Sequence, residues 1–412
     1  MLALSTRTHR SRPATRRGLA ALAVTAMLVS GCSAAEDAMS ATGVGDGDPS
    51  ETTSAPETEA APKLEVSVKK GASDVPVDSV LSVAAKRATL SKVTVSHPDG
   101  ALPGTLSADS AHWIADDRLE PGATYTVKAV GQGADGKTVR STSSFTTEAL
   151  TLDQQTYPSV APLDGETVGV GMPVVVTFDI PVTDREAFER NMRVTTAPEQ
   201  PGTWHWISDT EAHYRPKKYW QAGTEVSVDI DINGVDAGGG IYGQEDREVD
   251  FSVGDANVYE VNAQTHQMDV YSNGSLLRTI PITTGKEGFT TRSGVKVIME
   301  KFDVKRMNSE TVGIPAGSAE SYDINDVQWA MRVTYSGEFI HAAPWSVGSQ
   351  GSANVSHGCT GMSTDNAAWL YAMTLRGDVV EYTGTDRPME PENGYGDWNI
   401  AWSDYKSGSA LS

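Results

Sequence analysis

Two stretches in the middle of the chain constrain its fold most. Residues 124–130 read TYTVKAV and residues 225–232 read EVSVDIDI, each alternating with the period of a half-buried strand. Both sit at the same place in a longer repeat. His-Trp-Ile occurs at 112–114 and again at 205–207, followed by a Pro-Gly or Ala-Gly turn, the alternating strand, a Gly-rich turn and a closing strand. A strand that buries one face needs a second sheet to bury it against, so short alternating strands between turns build sandwiches. Two immunoglobulin-like β-sandwich modules are expected, at residues 63–149 and 150–254. Neither contains cysteine, so neither has the antibody-type disulfide. Trp113 and Trp206 are read as core. His97, His112, His205 and His213 are scattered, with no clustering of titratable groups, and a spacer role is favoured over binding.

The chain of 412 residues has two cysteines, Cys32 and Cys359. Residues 1–17 carry Arg7, Arg10, Arg12, Arg16 and Arg17 and no acid, and residues 18–29 form an apolar run too short to span a bilayer. Val-Ser-Gly-Cys follows. This is the pattern of a secretory signal, and its end resembles a bacterial lipobox. The resemblance implies lipidation at Cys32 and removal of residues 1–31. Residues 32–62 are rich in Ala, Ser, Thr, Glu, Asp and Pro and read as a disordered tether. The expected location is the outer face of the cytoplasmic membrane, lipid-anchored and reaching into the cell wall. The formal charge is −21, and loss of the five leader arginines takes it to −26. Such a surface argues against nucleic acid as a partner and against electrostatic adhesion to anionic lipid. Membrane affinity falls to the lipid anchor, which needs about two acyl chains for stable attachment.

A third domain is expected at residues 255–385. THQMDVYSNGSLLRTIPITTG reads as a hairpin, with Asn273-Gly274 suited to a type I′ turn. SGVKVIME and GEFIHAAPW read as further β segments, and DVVEYTG as a returning strand. One helix is well signalled at STDNAAWLYAMTLRG. Ser363 or Thr364 caps it, Asp365 sits in its first turn, Arg376 near its last, and Gly377 ends it. Residues 386–412 are expected to pack on this domain as a C-terminal extension. The fold class is mainly β: two immunoglobulin-like modules, then a β-rich domain with one well-signalled helix.

Cys359 lies in VSHGCTGMS. With Cys32 lipidated it has no intramolecular partner, and a lone thiol in an exported chain points to chemistry. His341 ends an apolar strand, and fourteen residues separate it from Ser356, which is followed by His357, Gly358 and Cys359. A thiol of pKa about 8.5 is only partly ionised at neutral pH, so a nucleophilic cysteine needs a base beside it. A loop of this length returns the Gly-flanked turn to the strand end, and Gly358 allows backbone N–H groups to face an oxyanion. A zinc site of His341, His357 and Cys359 is weighed and set aside. Two of the three are two residues apart on a turn, and the domain has only His266 besides. A buried, inert cysteine fits the small, polar SHGCTG poorly.

His-x14-Ser-His-Gly-Cys is similar to the signature of the L,D-transpeptidase catalytic domain, the YkuD type. HAAPWSVGSQG, RMNSETVGIPAGSAESY and GDWNIAW extend the resemblance to the multi-domain, lipid-anchored L,D-transpeptidases of mycolic-acid bacteria, over most of residues 63–404. The resemblance implies Cys359 as nucleophile, His341 as its base and the Ala342 carbonyl as the group orienting the imidazole. Backbone N–H groups around Gly358 and Cys359 would form the oxyanion hole, with Ser356 and His357 supporting the loop. Met307 and Tyr322 match a lid, flexed at Gly313 and Gly317, and the Tyr322 phenol reaches the oxyanion. Trp345 and Asn354 join the lid residues as substrate contacts. The implied partners are peptidoglycan stem peptides, as donor tetrapeptide and acceptor, with carbapenem β-lactams as inhibitors and no metal or organic cofactor. Two alternatives stand beside this reading: an L,D-carboxypeptidase that uses water, and a wall-binding scaffold with a degenerate catalytic domain. The sequence departs from the family pattern at Gly361, where Asn is usual. Restoring Asn there is expected to leave the reaction intact or faster.

Overall fold

The computed structural model describes residues 61–412. The leader, Cys32 and most of the tether lie outside the described residues.

Each repeat folds into its own sandwich. In the first, a sheet of Lys63–Val66, Ser82–Lys86, His112–Ala115 and Gly104–Leu106 faces one of Gly100–Leu102, Ala88–His97, Thr124–Gly133 and Thr138–Thr146. The alternation of Thr124–Gly133 turns Tyr125, Val127 and Ala129 into the core, where Trp113 joins them. In the second, Pro158–Ala161, Val174–Phe178, Glu211–Pro216 and Gly202–Ser208 face Thr167–Val168, Arg247–Val253, Glu225–Ile230 and Met192–Ala197. Val226, Val228 and Ile230 point inward beside Trp206.

The third domain stacks two sheets. Five strands run in the order Ser275–Pro281, Gln267–Ser272, Asn257–Asn262, Val379–Thr383 and Gly294–Val297. Four more run Glu300–Asn308, Asp323–Arg332, Phe339–Ala342 and Thr360–Met362. The first hairpin turns at Asn273 and Gly274, both at positive φ (48° and 78°), as a type I′ turn requires. The helix Thr364–Met373, capped by the Ser363 hydroxyl, packs on Asp323–Arg332 and Phe339–Ala342.

The helix stops four residues before the glycine expected to end it: Thr374 is already extended. Gly377, at φ 96°, instead permits a close approach to the second module. Gly169 N–H donates to the Arg376 carbonyl and Gly171 N–H to that of Gly377, both at 2.8 Å. Arg376 likewise lies beyond the helix and pairs with Glu166 at 3.3 Å. Val379 belongs to the second module's core, and Val258, Val295 and Tyr395 pack against it. The second module therefore shares its hydrophobic core with the third domain.

The C-terminal extension is a strap across both bodies, not a layer on the third domain alone. It starts there, with Met389 N–H donating to Ser293 and the Asn399 amide to Val295, each at 2.7 Å. It then crosses to the second module. Arg215 donates to the carbonyls of Asp397 (3.1 Å) and Ile400 (3.0 Å) and lies over the rings of Trp398, Trp402 and Tyr405. Buried Glu189 accepts from Ala410 N–H at 2.7 Å, from Ser409 and from the Trp206 indole. Aromatic rings and a buried guanidinium are complementary in solvent-poor surroundings, which is why this segment leaves the third domain.

The strap also gathers titratable groups that the sequence leaves scattered. His213, 2% exposed, bonds Asp397 through Nδ1 at 2.9 Å and Glu211 through Nε2 at 2.7 Å. Burial alone disfavours the imidazolium, but the two carboxylates outweigh it and raise the pKa to about 9. A group whose folded pKa is raised stabilises fully below its unfolded value of about 6.5 and loses that contribution as pH rises through about 9. His213→Gln should therefore melt lower than wild type at pH 6, with the difference closing by about pH 10. Asp397→Ala, which takes the buried carboxylate from His213 and leaves that ring to Glu211 alone, should destabilise the protein in chemical denaturation at pH 7.

Candidate active site

The spacing between His341 and Cys359 has a structural cause. Phe339–Ala342 and Thr360–Met362 are parallel neighbours, with His341 opposite Gly361. Parallel strands cannot be joined by a tight turn and need a crossover of about a dozen residues or more. Residues 343–359 supply it, through the short turn Pro344–Ser346 and a Gly-rich loop. The crossover delivers Cys359 to the end of its strand, on the edge where His341 lies.

Cys359 and His341 line one cavity of about 300 Å³, together with Met307, Tyr322, Trp345 and Gly361. His341 is buried, and its Nδ1–H donates to the Ala342 carbonyl at 2.7 Å. That bond fixes the tautomer and leaves Nε2 as the basic nitrogen. Burial holds the imidazole pKa below its ordinary value, so the ring is neutral at pH 7. Burial also pushes the Cys359 thiol up to about 11, with Phe339 N–H pulling the other way. The resting pair is thus thiol and neutral imidazole. The thiol donates to the Gly337 carbonyl at 3.7 Å rather than to His341.

Ser356 clips the turn, its hydroxyl donating to the Cys359 carbonyl at 2.6 Å and accepting from Gly358 N–H at 3.2 Å. Gly358 sits at φ 122°, which a side chain would oppose. Because its N–H is engaged by Ser356, it is not the free oxyanion donor that the sequence suggests.

His357 faces the lid. Its Nε2 bonds Glu320 at 2.7 Å, and Lys286 donates to the same carboxylate oxygen at 2.6 Å. Its ring lies between Phe289 and Tyr322, at 4.6 and 5.1 Å between centroids. The lid is the tip of the hairpin Glu300–Asn308 and Asp323–Arg332, closed where Ser309 N–H donates to the Tyr322 carbonyl at 2.9 Å. Gly313 and Gly317 lie in it at φ 81° and 76°. Desolvation and the nearby cysteine push the Tyr322 phenol up to about 12, so it stays a proton donor.

Trp345, 56% exposed, forms the lip of the cavity, 5.9 Å from the His341 ring. Asn354 does not line the cavity. Its amide bonds His266, Thr284 N–H and the Ala263 carbonyl at 2.8–3.0 Å, clamping the crossover from behind. Sequence reasoning missed the lid strands, whose half-exposed EKFDVKRMN lacks alternation, and the contacts of Glu320 and Lys286, which are far apart in sequence.

Comparison with known proteins shows the family. Residues 256–381 match the L,D-transpeptidase catalytic domain, and residues 72–236 match a bacterial Ig domain that runs across both sandwiches. The chain is 37% identical over 351 residues to L,D-transpeptidase 2 of Mycobacterium tuberculosis, covering 85% of each protein. It is 33% identical to L,D-transpeptidase 5 of the same species, over 85% of this chain and 78% of that one. Among solved structures, an L,D-transpeptidase in complex with imipenem is 41% identical over 55% of this chain and 97% of its own, with a TM-score of 0.49. The enzyme from Mycobacterium smegmatis is 36% identical over 56% of this chain and 99% of its own, with a TM-score of 0.47. The chain belongs to the L,D-transpeptidase family. It is an L,D-transpeptidase whose YkuD catalytic domain follows immunoglobulin-like modules.

Gly361 leaves no room for the usual Asn. A Cβ there would stand 2.9 Å from that of Ala343 and 3.1 Å from Thr283 Cγ2. Overpacking of this kind costs about 1–3 kcal/mol. Gly361→Asn should therefore lower the melting temperature, and thermal unfolding checks it.

Proposed function

We propose that this enzyme cross-links peptidoglycan through a thioester on Cys359. The observation that carries the reading is the shared cavity, in which a cysteine thiol and a buried imidazole with a free Nε2 lie beneath a phenol-bearing lid. The Cys359 side chain turns from the Gly337 carbonyl toward His341. Its proton passes to Nε2 as sulfur attacks the carbonyl of the third residue of a tetrapeptide stem. The oxyanion falls to the Cys359 N–H and the Tyr322 phenol. The imidazolium then protonates the departing D-alanine. The side-chain amine of the third residue of a neighbouring stem, diaminopimelate, attacks the thioester and releases the enzyme. The closed lid limits water and favours transfer over the hydrolysis that defines an L,D-carboxypeptidase.

A β-lactam carbonyl offers the same electrophile to the same sulfur, so carbapenems are proposed to acylate Cys359. The leader pattern supports export and a lipid anchor at Cys32, which would keep the enzyme at the outer membrane face.

Cys359→Ala should abolish D-alanine release from a disaccharide-tetrapeptide and the mass gain on meropenem, read by mass spectrometry. Release by that variant would overturn the nucleophile. Dimeric muropeptide among the wild-type products separates transferase from carboxypeptidase. Because His341 is held below its ordinary value of 6.5, the acid limb of the acylation rate should fall below pH 6.5 and vanish in His341→Ala. Cys32→Ser should move the protein from the membrane fraction to the medium with its activity in vitro unchanged.

A further inference from the structure

The chemistry above uses the side of Cys359 that faces the cavity. Behind it lies a group of charges with no part in that chemistry. Lys296 is 0% exposed, Glu338 5% and Arg292 9%. Lys296 Nζ donates to Glu338 Oε2 and stands 3.7 Å from the centroid of the Tyr382 ring. Arg292 donates to Glu338 Oε1 from its backbone N–H at 3.2 Å and from Nη1 at 3.0 Å. Both carboxylate oxygens are therefore held. Burying such a group is unfavourable against an apolar core of the same volume, so stability alone does not explain it.

Glu338 lies between Gly337, whose carbonyl touches the sulfur, and Phe339, whose N–H acts on its titration. The Gly337 carbonyl accepts the thiol proton at 3.7 Å, and the Phe339 N–H favours the thiolate form. Glu338 N–H is itself fixed by the Thr334 hydroxyl at 2.8 Å. We propose that Glu338 is a positioning residue for the nucleophile: its carboxylate, clamped by Lys296 and Arg292, holds the backbone bracket of Gly337 and Phe339 against Cys359 Sγ. The proposal rests on Cys359 as the reacting sulfur. The bracket serves both states of the sulfur, with a carbonyl for the thiol and an N–H for the thiolate once the proton has left. A hydrogen bond to the charged sulfur is the stronger of the two, so loosening the bracket costs the thiolate more than the thiol and raises the thiol pKa.

The other groups that face the sulfur are His341 across the cavity, Tyr322 on the lid, His357 in the same turn, Arg332 on the lid strand and Tyr382 on the neighbouring sheet. None of them is altered in the test, so a change in the sulfur's titration reports the Glu338 cluster.

The experiment is alkylation of Cys359 by iodoacetamide in the folded chain, followed by mass spectrometry from pH 6 to 10. Sulfur bonds to the methylene carbon, iodide leaves, and the thiol proton goes to solvent. Lys296→Met with Glu338→Met removes the pair together and leaves Arg292 to Glu390. The alkylation profile should move up by about one pH unit, an approximately tenfold loss of rate at neutral pH. An unmoved profile in a folded double variant overturns the proposal. Glu338→Gln gives a test of sign, should the double variant fail to fold. As a bare charge, Glu338 raises the thiol pKa, so its neutralisation alone would move the profile down. Loss of the bracket moves it up, and an unmoved or lowered profile overturns the idea. Alkylation needs no stem peptide, so a wild type that releases no D-alanine would sink the proposed reaction and leave this measurement readable.

Discussion

The parallel pairing of Phe339–Ala342 with Thr360–Met362 is the constraint on which the rest of the active site depends. It fixes which residue stands opposite which, and it demands a crossover long enough to reverse the chain twice. The crossover then carries the residues that hold it in place. Asn354 ties it to the loops around Ala263 and Thr284, and Ser356 locks the turn that presents the sulfur. The motif is conspicuous in sequence because one piece of backbone geometry requires all of it.

Burial sets the electrostatics of the pair. The same desolvation lowers the imidazole and raises the thiol, so both are neutral at rest. Such a pair differs from a preformed thiolate–imidazolium, which would meet water as readily as substrate. The hairpin tip over the cavity is anchored through Glu320 to His357 and Lys286.

The catalytic domain is braced from the N-terminal side. The second module shares its core through Val379 and closes over Gly377. The C-terminal strap returns from the catalytic domain to wrap Arg215 and Glu189. The first module meets the second through polar contacts such as Asn233 with Glu120 at 2.8 Å.

Periodicity and turn chemistry are local, and the sequence by itself determined what rests on them: two β-sandwiches, the Asn273-Gly274 hairpin, the helix cap at Ser363, and a cysteine turn paired with a histidine at crossover spacing. Interactions between distant segments depend on packing, which no local pattern encodes. Only the tertiary structure decided that Gly377 serves a module contact rather than a helix end, and that His213 meets Asp397 across 184 residues. It also decided that Gly361 has no space for a side chain, that Asn354 clamps a loop rather than lining the cavity, and that Lys296 and Glu338 are buried together near the sulfur. A buried lysine looks like any surface lysine in sequence, because its partner's charge becomes decisive only once water is excluded.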